Sequence, residues 1–365
     1  MTTSIDVKPF GTSQDGKKVE FFSLDSGNGC VVGLCSYGAT ISSVRYADKF
    51  GKIDEINFGF DDLASYEAHT SSMGVTVGRY ANRIKNAQFM LNGEVIKLDK
   101  NSKNVHSAHG GFKGFGNQVF TAEIVETAQG KGGKRGKGVK FTYISADGEG
   151  GYPGELTISV TYYLSADNIL RFEYDAVSSQ DTFINITNHA YFNLDGIAAD
   201  GSTNVNDHEI QINSGFITPL DADSVCTGEV RPVDNSPFDL RQLSRIGNGI
   251  ENPDELMKAV NGGYDISYIL GADDGQMKDA AYVQSAKSGR AMKVATTQPC
   301  LQLYSNANLR ETLLRGGKSV FKDAGFCLEA QDYPNGPNIA HFPTRPVRAG
   351  EKYHQVIEYQ FITLS

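Results

Sequence analysis

The chain has 365 residues, 39% hydrophobic and 21% charged, the make-up of a folded globular protein rather than of a disordered one. Forty-three acidic against 34 basic residues leave a formal charge of -9, which favours solubility and gives no electrostatic pull toward phosphate backbones, so nucleic acid is excluded as a natural partner. No apolar run of about 18 residues occurs, so no membrane span is expected.

Met1 to Phe10 has no basic segment leading into an apolar one, and the five cysteines (Cys30, Cys35, Cys226, Cys300, Cys327) are odd in number and not at zinc-ligand spacing. Free thiols in a cytoplasmic protein are expected. At about 150 residues per domain the length suits two domains. Without an internal repeat, a low-complexity linker or a composition break, however, the expectation is one domain over 1–365.

Val19 to Leu24 and Cys30 to Tyr46 read as short strands broken by Asp25 to Gly29 and by Gly38. Ile53 to Phe60 continues them, and Asp61 to His69 reads as a short helix. Gly78-Arg79-Tyr80-Ala81-Asn82-Arg83-Ile84 then sets two arginines and an amide in a mild stretch, a pattern suited to holding something polar. Ala87 to Leu91 and Val95 to Leu98 flank Asn92-Gly93, which predicts a two-residue hairpin turn because both positions tolerate positive φ. The loop from Asn101 to Phe115 carries His106, His109, Gly110, Gly111 and Gly114, and its missing Cβ atoms permit close backbone or ligand approach.

Lys131, Lys134, Arg135, Lys137 and Lys140 lie among glycines between strand-like segments. They fit a solvated hairpin tip and do not match the phosphate-cradling P-loop. Leu156 to Leu164 alternates cleanly, and Leu170, Phe172, Tyr174 and Ala176 form the apolar face of a return strand, so the two should pair antiparallel. Phe183 to Ile186 also alternates, which predicts a strand with His189 on the polar side shared by Asn185 and Thr187. Such a histidine serves either as a structural hydrogen-bonding residue or as a proton donor.

Glu209 to Ile212 and Phe216 to Pro219 are further strands, and Asn252-Pro253-Asp254-Glu255 reads as an N-cap, a first-turn proline and a glutamate opening a short helix. Tyr268 to Leu270, Ala281 to Ser285, Ala291 to Thr297, Cys300 to Tyr304, Phe326 to Glu329 and Gln355 to Thr363 complete a mainly antiparallel all-β sandwich with few short helices. Asp265 and Glu329 stand out as an acidic pair. Glu329 follows an apolar run, where a carboxylate is either a salt-bridge partner or a catalytic base.

Six motifs together resemble the aldose 1-epimerases, or galactose mutarotases: Gly78 to Ile84, His109-Gly110-Gly111 with Gly114-Phe115, Asp147 to Gly154, Thr187 to Leu194, Thr296-Thr297-Gln298-Pro299, and Leu328-Glu329-Ala330-Gln331 with Pro334 and Asn338. The resemblance runs from about Phe10 to Phe361, in family order. It implies a galactose mutarotase-like β-supersandwich that interconverts the α and β anomers of free hexoses such as galactose and glucose, with no cofactor and no metal. Carried over by position, Glu329 matches the general base and His189 the general acid. Asn82, Arg83, His109, Asp265 and Gln298 match sugar-binding positions, and Tyr191 falls in a stretch that lines the pocket or packs beneath it.

Ring opening needs a base at the anomeric hydroxyl and an acid at the ring oxygen. Negative charge from Glu329 or Asp265 is expected to favour the imidazolium of His189. Two departures from the family pattern are visible. Ile266 follows Asp265 where a histidine is usual, and His106 stands where an asparagine is common, which leaves His106 and His109 as alternatives for sugar contact, with His109 better placed before Gly110-Gly111. The expected partner is a small-molecule sugar, with no membrane and with the chain a monomer or weak homodimer. Alternative readings are a hexose-6-phosphate 1-epimerase, if the basic loop reaches the pocket, or a non-catalytic sugar-binding or regulatory protein on the same fold.

Overall fold

The computed structural model describes residues 4–127, 136–305 and 307–364. Among the described residues, two five-stranded sheets and one nine-stranded sheet, all antiparallel, hold most of the strand residues. The amino-terminal sheet takes Ser4–Thr12, Lys18–Asp25, Cys30–Cys35, Thr40–Ala47 and Ile53–Glu55 in simple chain order. The nine-stranded sheet runs Thr121–Thr127, Gly136–Ser145, Leu156–Leu164, Ile169–Ser178, Lys352–Thr363, Arg290–Thr296, Lys278–Gln284, Glu209–Ile212 and Ser244–Arg245, so the last strand of the chain lies in its middle.

The expected pairing of Leu156–Leu164 with Ile169–Ser178 holds, Leu164 facing Leu170 across the turn. Ile158, Val160, Tyr162 and Leu164 are buried, with Phe172 and Tyr174 beside them in the main core. The Asn92-Gly93 turn also forms, joining Gln88–Leu91 to Glu94–Lys97 with φ of 50° and 85°. The basic stretch Lys131, Lys134 and Arg135 lies outside the described residues; of its flanks, Lys140 sits in the strand Gly136–Ser145 and faces Glu123 at 3.7 Å.

The third sheet positions the chemistry. Its order is Arg231–Pro232, Phe216–Thr218, Asp265–Ile269, Cys300–Tyr304 and Cys327–Gln331. Because side chains alternate along a strand, one face presents Ile266, Tyr268, Leu301, Leu303, Leu328 and Ala330, all buried in the main core. The other face carries Asp265, Gln302, Tyr304, Cys327, Glu329 and Gln331, with Gln302 directly opposite Glu329. Ile266, the departure noted after Asp265, therefore points into the core.

Three expectations need correction. Phe183 to Ile186 is not a strand; only Thr187–Asn188 is, paired with Thr76–Val77. The polar residues there have no solvent face: Asn185 and Thr187 are fully buried, and Asn185 is held by the amide of Asp332 at 2.8 Å. The sequence alternation marks buried polar against buried apolar side chains, not wet against dry. Asn252 does not cap the second short helix, because it already terminates the helix Ile246–Glu251; Asp254 caps Glu255–Ala259 instead, accepting from the amide of Leu256 at 2.7 Å. Glu329 lies mid-strand and not at a strand end. The helix expected over Asp61 to His69 forms as Leu63–Ala68, capped by Asp62. No helix among the described residues is long and apolar enough to cross a membrane.

Arg79 ties the loops behind the site together. Its guanidinium is 2% exposed and donates to the carbonyls of Ser145, Ala146, Pro153 and Gly154 and to the hydroxyl of Ser145. The segment so held packs on the glycine loop: a Cβ at Gly150 would meet the carbonyl oxygen of Gly110 at 2.5 Å, and one at Gly110 would meet that of Gly78 at 1.9 Å. Gly110 also has φ of 86°, so this close stacking of backbone on backbone requires glycine. Replacing Arg79 by Met orphans four buried carbonyls and is expected to lower the unfolding free energy by roughly 3 kcal/mol or more. Urea unfolding followed by circular dichroism measures it, and a loss under about 1 kcal/mol would contradict this role.

Candidate active site

A cavity of about 210 Å3 opens over the polar face of the third sheet. Asn82, Arg83, His109, His189, Tyr191, Asp265, Gln302 and Glu329 all line it, with Ser71, Ser72 and Tyr304. A larger groove of about 850 Å3 adjoins it, sharing Thr70, Ser72 and His109, but it contains neither Glu329 nor His189.

His189 is placed by backbone bonds on both sides. Its amide donates to Val75 at 3.0 Å, and its carbonyl accepts from Gly74 at 2.9 Å. The ring lies nearly parallel to that of Tyr191, centroids 4.9 Å apart at 18°, and meets His109 edge-on at 5.6 Å. Tyr191 in turn stacks on Phe58 and donates its hydroxyl to the carbonyl of Ser71 at 2.8 Å. Both readings of Tyr191 thus hold at once, since it lines the cavity and packs against the imidazole. His189 Nε2 stands 3.6 Å from Glu329 Oε1.

The sugar-binding candidates form one connected network. Gln302 Nε2 donates to Asp265 Oδ1 at 2.6 Å, while Gln302 Oε1 accepts from Asn82 Nδ2 at 3.2 Å and from Gln331 Nε2 at 3.3 Å. Arg83 lies 3.9 Å from Asp265 and donates to the carbonyl of Ser224 at 3.2 Å. Asn82 and His109 both adopt positive φ, 64° and 50°, and bond each other, the His109 amide to the Asn82 carbonyl at 3.1 Å.

One assignment changes. Gln298 does not line the cavity; it lies in the turn between Arg290–Thr296 and Cys300–Tyr304, its amide bonded to Thr296 Oγ1 at 3.1 Å. Gln302, four residues on, lines the cavity instead, because strand register sets it opposite Glu329. A glutamine at the centre of the apolar run Cys300 to Tyr304 was the signal available in the sequence. Tyr304 and the serines at 71 and 72 carried no such signal, since they reach the cavity only by chain folding. Between the two loop histidines, His109 lines the cavity. His106 is buried elsewhere, 2% exposed, accepting from the Asn86 amide at 3.1 Å and standing 3.5 Å from Asp223.

Burial dominates the electrostatics. It pushes the Glu329 carboxyl well above the usual carboxylate range, with Asp265 adding to the rise and Arg83 opposing it. It draws His189 down to about 4, and His109 to about 3 with the help of His189 and Arg83. The expectation that neighbouring carboxylates hold His189 as an imidazolium is not met, because burial lowers its pKa. A Glu329 that keeps its own proton offers no negative charge, and both groups are over nine-tenths buried. Burial thus favours the neutral form of both groups.

A profile of the aldose 1-epimerase family matches residues 20–360. The galactose mutarotase of Sus scrofa is 36% identical over 360 residues, covering 98% of each chain. The aldose 1-epimerase of Escherichia coli (strain K12) is 33% identical over 350 residues, covering 95% of this chain and 96% of its own. Among solved structures, an aldose epimerase homologue from C. elegans superposes with a TM-score of 0.82 at 28% identity, over 94% of this chain and 99% of its own. Motifs, supersandwich architecture and near full-length similarity agree, and the chain belongs to the aldose 1-epimerase family.

Proposed function

We propose that this aldose 1-epimerase interconverts the anomers of free hexoses, galactose and glucose foremost, with Glu329 as general base and His189 as general acid. The observation that carries the reading is the apposition of these two buried groups across 3.6 Å in a small polar cavity. Glu329 takes the proton of the anomeric hydroxyl while His189 protonates the ring oxygen; the ring opens, C1 rotates about the C1–C2 bond, and closure on the other face gives the other anomer. Both residues finish with exchanged protonation, which the reverse transfers restore at closure.

The assigned roles require the proton on His189 when sugar is bound. Sugar hydroxyls donating to Glu329, with the nearby charge of Arg83, stabilise its carboxylate in place of the lost water and move the proton across the short gap. Asn82, Arg83, His109, Asp265 and Gln302 hold the remaining hydroxyls, a hydrogen-bonding set suited to polyols. Arg83 is the only Lys or Arg among the described residues lining the cavity, and it already faces Asp265. That composition favours a free sugar over a phosphorylated one.

Glu329→Gln and His189→Asn are each expected to fold and to lose roughly 100- to 10,000-fold in kcat, read by polarimetry on freshly dissolved α-D-galactose. Normal turnover in either variant removes that residue from its role. Gln302→Leu is expected to raise KM about tenfold while Gln298→Leu leaves it unchanged; the opposite ranking would restore Gln298 to the site.

Stability gives a separate reading of Glu329. Its folded pKa lies above the ordinary value of 4.5, so the folded state keeps a proton that the unfolded chain has released. That contribution is whole below the unfolded value and declines as pH rises toward the folded one. Glu329→Gln has no proton to lose, so it is expected to melt at a higher temperature than the parent at pH 7, the gap closing on acidification. A lower Tm for the variant at pH 7 would contradict the burial argument.

A further inference from the structure

Beside the proposed catalytic pair stands a third metal-ligating atom that the reaction does not use. Cys327 lies on the same strand as Glu329 and, two residues away, projects from the same face. Its thiol is buried in a cluster that includes Tyr191, with Tyr304 packed against it. The sulfur, a ring nitrogen of His189 and a carboxylate oxygen of Glu329 all lie within 4.8 Å of one another. Among the described residues no hydrogen bond occupies the Glu329 carboxylate, and His189 Nδ1 is buried without a partner.

Thiolate, imidazole and carboxylate are the three donor types zinc takes, at about 2.0 to 2.3 Å from the metal. The edges of such a tetrahedron are about 3.5 Å, so closing the site requires the Cys327 sulfur and the other two donors to draw together by rotation about their side-chain torsions. His189 Nε2 and Glu329 Oε1 already sit at 3.6 Å. No other group of three or more His, Cys, Asp or Glu among the described residues meets the same spacing.

We propose that Cys327, His189 and Glu329 form an inhibitory site for a thiophilic divalent cation, Zn2+ above all, with a cavity water in the fourth position. Binding forms a metal–sulfur bond and releases two protons to solvent, one from the Cys327 thiol and one from the Glu329 carboxyl. It also takes the imidazole lone pair and the carboxylate, so that metal and sugar exclude each other. This links the turnover of the isomerisation to the availability of free zinc.

The test uses the purified full chain in chelator-free buffer with ZnCl2 and CoCl2 as probes. ZnCl2 is expected to slow mutarotation competitively with galactose, and EDTA to restore it. Cys327→Ser is expected to keep the basal rate while needing about tenfold or more Zn2+ for equal inhibition, with Cys30→Ser unchanged as a control. CoCl2 is expected to give a thiolate-to-cobalt charge-transfer band that saturates at one equivalent and is absent from Cys327→Ser. Should the serine variant fail to fold, Cys327→Ala takes its place in both arms. The cobalt titration reads metal binding without turnover, so it stands even if the acid–base assignment falls. A parent protein with no cobalt–thiolate band, or a cysteine variant as zinc-sensitive as the parent, overturns the site.

Discussion

The constraint on which the site rests is the burial of a carboxyl in the middle of a strand, facing a buried imidazole. Glu329 is 3% exposed and has apolar neighbours in sequence on one side, Phe326 to Leu328. A charged carboxylate there is unfavourable without compensation, and the response is to hold the proton. The same desolvation keeps His189 neutral. Burial thus favours the neutral form of both groups, which stand 3.6 Å apart.

Everything around the pair serves to hold it while leaving its reactive atoms free. Gln302 faces Glu329 across the strand pair but spends its amide on Asp265, Asn82 and Gln331. Tyr191 fixes the imidazole plane and is itself fixed by Phe58 and Ser71. His109 is set by a longer chain of dependence: Arg79 binds the segment from Ser145 to Gly154, that segment backs Gly110, and Gly110 packs on Gly78. Arg79, close in sequence to the candidate sugar-binding residues Asn82 and Arg83, therefore acts on the scaffold.

Cys327 shows the other side of the same arrangement. Placing a soft donor on the face that carries the base, within reach of the acid, gives the pocket a ligand set it need not use in catalysis. The neutral resting state that suits sugar chemistry also leaves an imidazole lone pair available to a metal.

The strands and hairpins were legible in the sequence wherever alternation coincided with burial, as in Leu156 to Leu164, or where a turn dipeptide such as Asn92-Gly93 had one clear backbone solution. His189, Glu329, Asp265, Asn82, Arg83 and His109 could be named from their motifs because each is embedded in a distinctive local string. Alternation misled at Phe183 to Ile186, where the polar side chains are buried and bonded, and motif position misled at Gln298. What only the tertiary structure decided was which glutamine meets the carboxylates, which histidine meets the cavity, and which way burial shifts the titration of Glu329 and His189. The reason is physical: residue types and spacing are local properties, whereas cross-strand register and desolvation arise only when segments hundreds of residues apart are packed against one another.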